Sequence, residues 1–162
     1  MGIYTTRNLR RQDRAMNEND ARLLLREATY AVLCMENING GGYGIPINYV
    51  WDGEDFIYFH CSGMGHKLRC IQSNPKVSLV VMKEPSVLCE KFSMAYSSLI
   101  VQGNVSIVYD LEEKRKALTL LIQRMTPQHI ERGVQYINRA IDDTTVLRLA
   151  ISEFSGKAHA SH

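Results

Sequence analysis

At 162 residues, with 22% charged residues and only four prolines, the chain has the make-up of one folded domain rather than of a disordered or low-complexity segment. A formal net charge of +2 is too small to point to a nucleic-acid partner or a membrane surface. The densest basic run, Arg7, Arg10, Arg11 and Arg14, is diluted by asparagine, glutamine and aspartate. Residues 1–15 are therefore expected to be a solvated arm, flexible or packed on a partner, ahead of one domain at 16–158 and a short tail at 159–162.

No apolar stretch is long enough to span a bilayer, and the start lacks the apolar core of a secretory signal, so the expected location is cytoplasmic. The four cysteines, Cys34, Cys61, Cys70 and Cys89, have no CxxC spacing and sit in apolar settings. They read as reduced core thiols, not as a disulfide framework.

The first element in chain order is a helix over residues 16–28, capped by Asn17 or Asn19, with Leu24, Leu25 and Ala28 facing the core. "TYAVLCME" has strand composition, and the Asn-Gly step after it signals a hairpin. The returning strand "YGIPINYVW" alternates: Ile45, Ile47, Tyr49 and Trp51 on one face, Pro46, Asn48 and Val50 on the other. Pro46 lacks a ladder donor, which suits an edge, a bulge or a ligand-facing interruption.

"FIYFHC" is a third strand, and "GHKLRCIQSNP" a short helix stopped before Pro75. "KVSLVVM" and "SLIVQGNVSIVYD" are further strands; in the second, the inward phase of Leu99, Val101, Val105 and Ile107 passes through Gly103, a position for a bulge. Residues 110–125 make an amphipathic helix with Asp110 and Glu113 in capping-box positions. Ile130, Val134, Ile137 and Ile141 mark the apolar stripe of the next helix, and "TTVLRLAI" is a closing strand. The first three strands follow one another without intervening helices. The expectation is therefore a mainly β or α+β antiparallel barrel of six or more strands with peripheral helices, not a doubly wound sheet.

Reactive chemistry is densest in "FHCSGMGHKLRCI", residues 59–71. His60 and Cys61 are adjacent on a strand and point to opposite faces, so a tetrahedral metal site is not expected. Gly63 and Gly65 can bring backbone amides close to an anion at the helix start, with Ser62, His66 and Lys67 adding donors. The residues alone leave two readings open: a phosphate cradle, or an ordinary strand–turn–helix junction with a solvated lysine.

The combination of G-x-P-x-N-Y at 44–49, YFH at 58–60, GHK at 65–67 and NP-x-V at 74–77, with the following "CEKFSMAYSSLIVQGNVSIVYDLEEKRKAL" and the closing "LRLAISEFSGKA", resembles the pyridoxamine 5'-phosphate oxidase-related FMN-binding split-barrel family, and within it the 5-nitroimidazole-resistance (Nim-like) flavoproteins. The resemblance covers roughly residues 10–158, departing at Met64 and at Arg69–Cys70. It implies a Greek-key-like split β-barrel and a homodimer with FMN at the subunit interface.

By the same resemblance, Lys67 and His66 meet the phosphate with help from Ser62 and the backbone near Cys61. Pro46, Ile47, Asn48 and Tyr49 line the ring with Phe59 and His60 beside it, and Tyr96, Ser97, Ser98, Leu99 and Ile100 are the partner's contribution. His60 is carried over as the residue near the reaction centre. The implied activity is an FMN-dependent oxidoreductase, nitroimidazole reductase-like or pyridoxamine phosphate oxidase-related. It would pass electrons from NAD(P)H or another flavin-reducing donor to a small acceptor. The alternative is a non-catalytic carrier of flavin or haem.

Overall fold

The computed structural model describes residues 2–159. The chain opens against the body of the domain, where β1 (Ile3–Tyr4) pairs in parallel with β9 (Thr145–His159). The Tyr4 hydroxyl donates to the Met16 carbonyl, and its ring meets Phe154 edge-on at 5.2 Å. The segment expected as a solvated arm is thus docked at its start, through two residues too few to register as a strand in the sequence. Of the expected tail, His159 ends β9 and residues 160–162 lie outside the described residues.

Helix α1 (Glu18–Glu27) is capped by Asn17, whose Oδ1 accepts from the Asp20 amide at 2.9 Å, and it buries Ala21, Leu24 and Leu25. Strands β2 (Tyr30–Glu36) and β3 (Gly42–Asn48) form the hairpin signalled by Asn-Gly. Its turn needs φ of +83° and +85° at Gly40 and Gly41, which glycine adopts without a Cβ penalty. After the single residue Tyr49 the same run of chain becomes β4 (Val50–Trp51), which pairs with β5 (Phe56–Cys61) instead of β2. Then come α2 (His66–Ser73), β6 (Lys76–Met82), β7 (Ser86–Leu88), β8 (Ser93–Ile107), α3 (Leu111–Met125) and α4 (Ile130–Ala140).

The ladders run in the order β3-β2-β6-β8-β9-β5-β4, antiparallel throughout, with β1 added to β9 and β7 to β8. The two ends of this path, β3 and β4, are one stretch of chain joined at Tyr49. The sheet therefore curls back on itself without being closed by hydrogen bonds: it is a split barrel with peripheral helices. Pro46 sits on β3, at an end of the path, where its missing N–H costs no second ladder.

β8 starts earlier than expected because its first residues pair with β7, and β9 runs on through "SEFSGKAH" to span nearly all of β8. The bulge expected at Gly103 is present. The register slips between Gln102 and Gly103, and a Cβ at 103 would stand 2.0 Å from the Ala150 carbonyl oxygen.

Two apolar clusters follow from this wrap. The main core joins Leu33, Ile57, Phe59, Leu79, Leu99 and Leu147 with α1 and α2; a second lies under α3 and α4 and holds Val50, Tyr58, Leu118, Leu121, Ile137 and Val146. Two polar anchors seat α3 on the sheet. Tyr58 donates to Glu113 at 2.9 Å, and Arg148 on β9 reaches both Glu113 carboxylate oxygens at 3.0 and 3.2 Å. In α4 only the end of the expected stripe is buried. Ile137 and Ile141 are covered, while Ile130 and Val134 face solvent, because the first half of α4 meets α3 through Gly133, where a Cβ would stand 2.5 Å from Ile122, and not through these side chains. The cysteines also divide: all four are free thiols, Cys70 buried, Cys34 and Cys61 half-buried and Cys89 exposed, so the core expectation fails for Cys89.

Candidate functional site

Strand alternation decides what β5 offers. Ile57 and Phe59 enter the main core, and Tyr58 enters the second core beneath α3. His60 shares the face of Tyr58 but lies past the helix cover. It is exposed, and its imidazole makes no hydrogen bond with any described residue.

His60 and Asn48 line a cavity of about 350 Å³ whose remaining wall comes from α3, α4 and their flanks. Leu118, Leu121, Ile122 and Met125 contribute from α3 at the three- and four-residue spacing of one helix face, and Ile137, Ala140 and Thr144 answer from α4 and beyond. The Asn48 side chain is fixed by donating from Nδ2 to the Thr29 carbonyl at 3.0 Å, which leaves its Oδ1 able to accept.

The turn after β5 exposes Ser62, Gly63, Met64 and Gly65. Gly65 stands at φ +137° and ψ 172°, a conformation essentially reserved for glycine, and it occupies the N-cap of α2 with no side chain to satisfy the first amides. The first turn of α2 carries no carboxylate, and a Cβ at Gly65 would meet nothing within 4 Å, so the helix end is open. Lys67 is half-buried there and pairs with no carboxylate among the described residues. Its charge is felt at Cys61, where burial pushes the thiol above its ordinary pKa and Lys67 partly opposes the rise. Cys61 is accordingly a protonated packing group, not a nucleophile.

His66 is more committed than the sequence suggested. One ring nitrogen stands 3.1 Å from Asn37 Oδ1, the other 3.3 Å from an Arg69 guanidinium nitrogen, and Tyr43 meets the ring edge-on at 4.8 Å. These contacts tie α2 to the β2–β3 hairpin and hold the open helix end in place. Asn37 and Tyr43 are unremarkable within their own elements, and only the fold of the hairpin brings them to His66; Arg69, noted only as a departure from the family pattern, reaches His66 from three residues on in α2.

The remaining expected site residues divide by face. Tyr49 and Phe59 are buried side chains, Tyr49 donating to the Leu25 carbonyl at 2.8 Å, and Leu99 is likewise fully buried; these three can offer a ligand only backbone. Ile47 packs partly against the core, while Pro46 is exposed on the opposite face of β3. Ser97 is half-buried; Tyr96, Ser98 and Ile100 alternate with it onto the outer face of β8.

The register aligns Pro46, Val32, Val80 and Ile100 in one row across β3, β2, β6 and β8. Three strand spacings of about 4.8 Å therefore separate Pro46 from Ile100, roughly 14 Å within one chain. Tyr96 lies among cations: Arg14 donates toward its hydroxyl at 3.4 Å, and the Lys157 ammonium is 5.6 Å from its ring centroid. Desolvation would raise this phenol, but hydrogen bonds from Arg14 and Lys157 outweigh it and lower its pKa. No group of three or more metal-ligand side chains forms among the described residues, and no described helix is long and apolar enough to cross a membrane.

A family model described as pyridoxamine 5'-phosphate oxidase matches residues 17–158. The chain belongs to this family. Solved structures with the same fold include a candidate 5-nitroimidazole antibiotic resistance protein from Bacteroides thetaiotaomicron, 21% identical with a TM-score of 0.76, covering 89% of this chain and 86% of that one. A flavocytochrome from Azotobacter vinelandii is 20% identical at a TM-score of 0.78, covering 94% and 72%. A FAD and haem binding protein from Mycobacterium smegmatis is 20% identical at 0.77, covering 90% and 72%. No protein of curated function matches the sequence. Family membership accounts for the split barrel.

Proposed function

We propose that the protein is an FMN-binding flavoprotein that works as a homodimer and passes electrons to a small acceptor. The observation that carries this reading is the open N-terminus of α2. Uncapped amides, a glycine at φ +137° and an unpaired Lys67 form a cradle for a phosphate, in the fold of the pyridoxamine 5'-phosphate oxidase family. The phosphate would be held by the amides at residues 66–68, the Lys67 ammonium and the Ser62 hydroxyl, with His66 holding the helix end through Asn37. Asn48 and His60 would stand nearer the ring, where His60 can orient an acceptor or supply a proton at an imidazole nitrogen.

When bound, the flavin supplies the electron chemistry; the protein supplies binding, orientation and exclusion of water. The apolar row Pro46, Val32, Val80 and Ile100 lies on a sheet face that no described helix covers. This supports pairing of two copies through that face. Such pairing would bring the partner's Tyr96–Ile100 segment to a ring that its own chain's segment stands too far across the sheet to reach.

Mass spectrometry and an absorption spectrum of the small molecule released from purified protein test the reading. FMN is expected. A haem spectrum, or colourless protein that takes up no FMN on titration, overturns it, and FAD in place of FMN redirects it to the ligand named for the mycobacterial relative. Bleaching of bound flavin by NAD(P)H, followed by reoxidation with an added nitroaromatic acceptor, separates an enzyme from a carrier.

A further inference from the structure

The cavity beneath α3 and α4 has a chemistry of its own. No Lys, Arg, Asp or Glu is among the residues that line it, and its walls are mainly Leu118, Leu121, Ile122, Met125 and Ile137. The protons of the two threonine hydroxyls at its edge are already committed, Thr126 donating to the Ile122 carbonyl at 3.2 Å and Thr144 to the Ala140 carbonyl at 2.7 Å, so these groups can only accept. Donor capacity therefore concentrates at the sheet end, in the His60 imidazole, with the acceptor oxygen of Asn48 beside it and the exposed Tyr136 at the rim. An apolar cavity of about 150 Å³ takes benzene. One of about 350 Å³ takes a body of roughly two rings.

We propose that this cavity binds a small uncharged molecule with an apolar body of about two fused rings and one polar group that meets His60. A charged ligand would lose its hydration there and meet no lysine, arginine, aspartate or glutamate to offset that loss. Such a molecule would lie against the residue placed nearest the flavin ring, making the cavity the acceptor's seat. That last identification rests on the flavin reading, whereas the binding site itself does not.

The test titrates purified full-length protein with 2-naphthol, followed by its own fluorescence, against naphthalene and naphthalene-2-sulfonate as controls. Saturable 1:1 binding of 2-naphthol is expected, with the sulfonate at least about 10-fold weaker. His60→Ala should weaken 2-naphthol about 3- to 10-fold and leave naphthalene unchanged. Ala140→Leu, which fills the cavity, should weaken both at least about 10-fold.

Methyl NMR of the wild type locates the probe without any variant, and shifts at Ile122, Met125 and Ile137 are expected. No saturable binding, equal binding of the sulfonate, or shifts confined elsewhere would each overturn the proposal. An FMN titration in parallel separates the two readings: 2-naphthol binding without FMN binding removes the flavin and leaves the cavity site, and the reverse result removes the cavity site alone.

Discussion

Replacing Lys67 by alanine removes a full positive charge from the open end of α2, where Arg69 is the other and is engaged with His66. The helix end already supplies oriented amides, so the lysine's share is a single charge-assisted contact, worth about 1.5–3 kcal/mol when it meets a phosphate. No carboxylate of the described residues competes for it, and its half-burial limits screening by salt. The expected result is a 10- to 100-fold rise in the Kd for FMN, read by quenching of flavin fluorescence on titration.

The control is riboflavin, which has the ring but no phosphate. Its affinity should be unchanged by Lys67→Ala, so the variant should bind the two flavins more nearly alike than the wild type does. Folding is not at stake, because a half-buried lysine with no ion pair can be truncated without leaving a buried partner unsatisfied. Equal loss for FMN and riboflavin would show that Lys67 does not address the phosphate, and no loss for either would refute the cradle altogether.

Three further substitutions test the frame around that cradle. Gly65→Ala forces a Cβ onto a backbone at φ +137°, so it should cost about 1–3 kcal/mol in urea unfolding and weaken FMN more than riboflavin, although nothing obstructs the added methyl itself. Gly103→Ala meets backbone instead: the new Cβ would fall 2.0 Å from the Ala150 carbonyl oxygen, so a loss of at least about 2 kcal/mol is expected in the same assay, and a neutral result would refute the bulge geometry. Tyr58→Phe should cost about 1.5–3 kcal/mol at neutral pH through the bond to Glu113.

Tyr58→Phe should also change the alkaline limb of stability. Burial first, and the Glu113 carboxylate second, hold the Tyr58 phenol above its ordinary value. The unfolded chain therefore releases that proton first, so this contribution is intact below about pH 10 and is lost as pH rises beyond it. The variant should lose up to about 1.4 kcal/mol per pH unit from that slope, and an identical slope in wild type and variant would refute the coupling.

Much of this architecture is legible in residues whose local chemistry leaves few options. Asp110 and the Asn-Gly turn each settle an element without help from the rest of the chain, and Asn17 is the one of two candidate caps that is used; the returning strand keeps its alternation but divides at Tyr49 into β3 and β4, which pair with different partners. Gly103 is readable for the same reason, since an inward phase that reaches a glycine inside a long strand suits a bulge. What escaped depends on partners distant in sequence. β1 exists only because β9 offers it an edge, and β7 only because β8 extends to meet it. The apolar stripe of α4 is buried only from Ile137 on, a limit set by where α3, anchored through Glu113 to Tyr58 and Arg148, lies against it.

The candidate site divides along the same line. Lys67 and Gly65 are local signals, a helix start and a glycine turn, and they stand together at the end of α2. The side-chain assignments within the strands were weaker, because alternation admits two faces and the main core claims one of them. Tyr49, Phe59 and Leu99 went to the core, while His60, Asn48 and Ile100 stayed outside it. The cavity was not legible at all. Its residues come from α3, α4 and the ends of β3 and β5, and nothing in any one segment marks it except a histidine left without a partner. That histidine is where the two proposals meet: a phosphate cradle proposed from a motif, and an apolar chamber that only the packing of α3 and α4 creates.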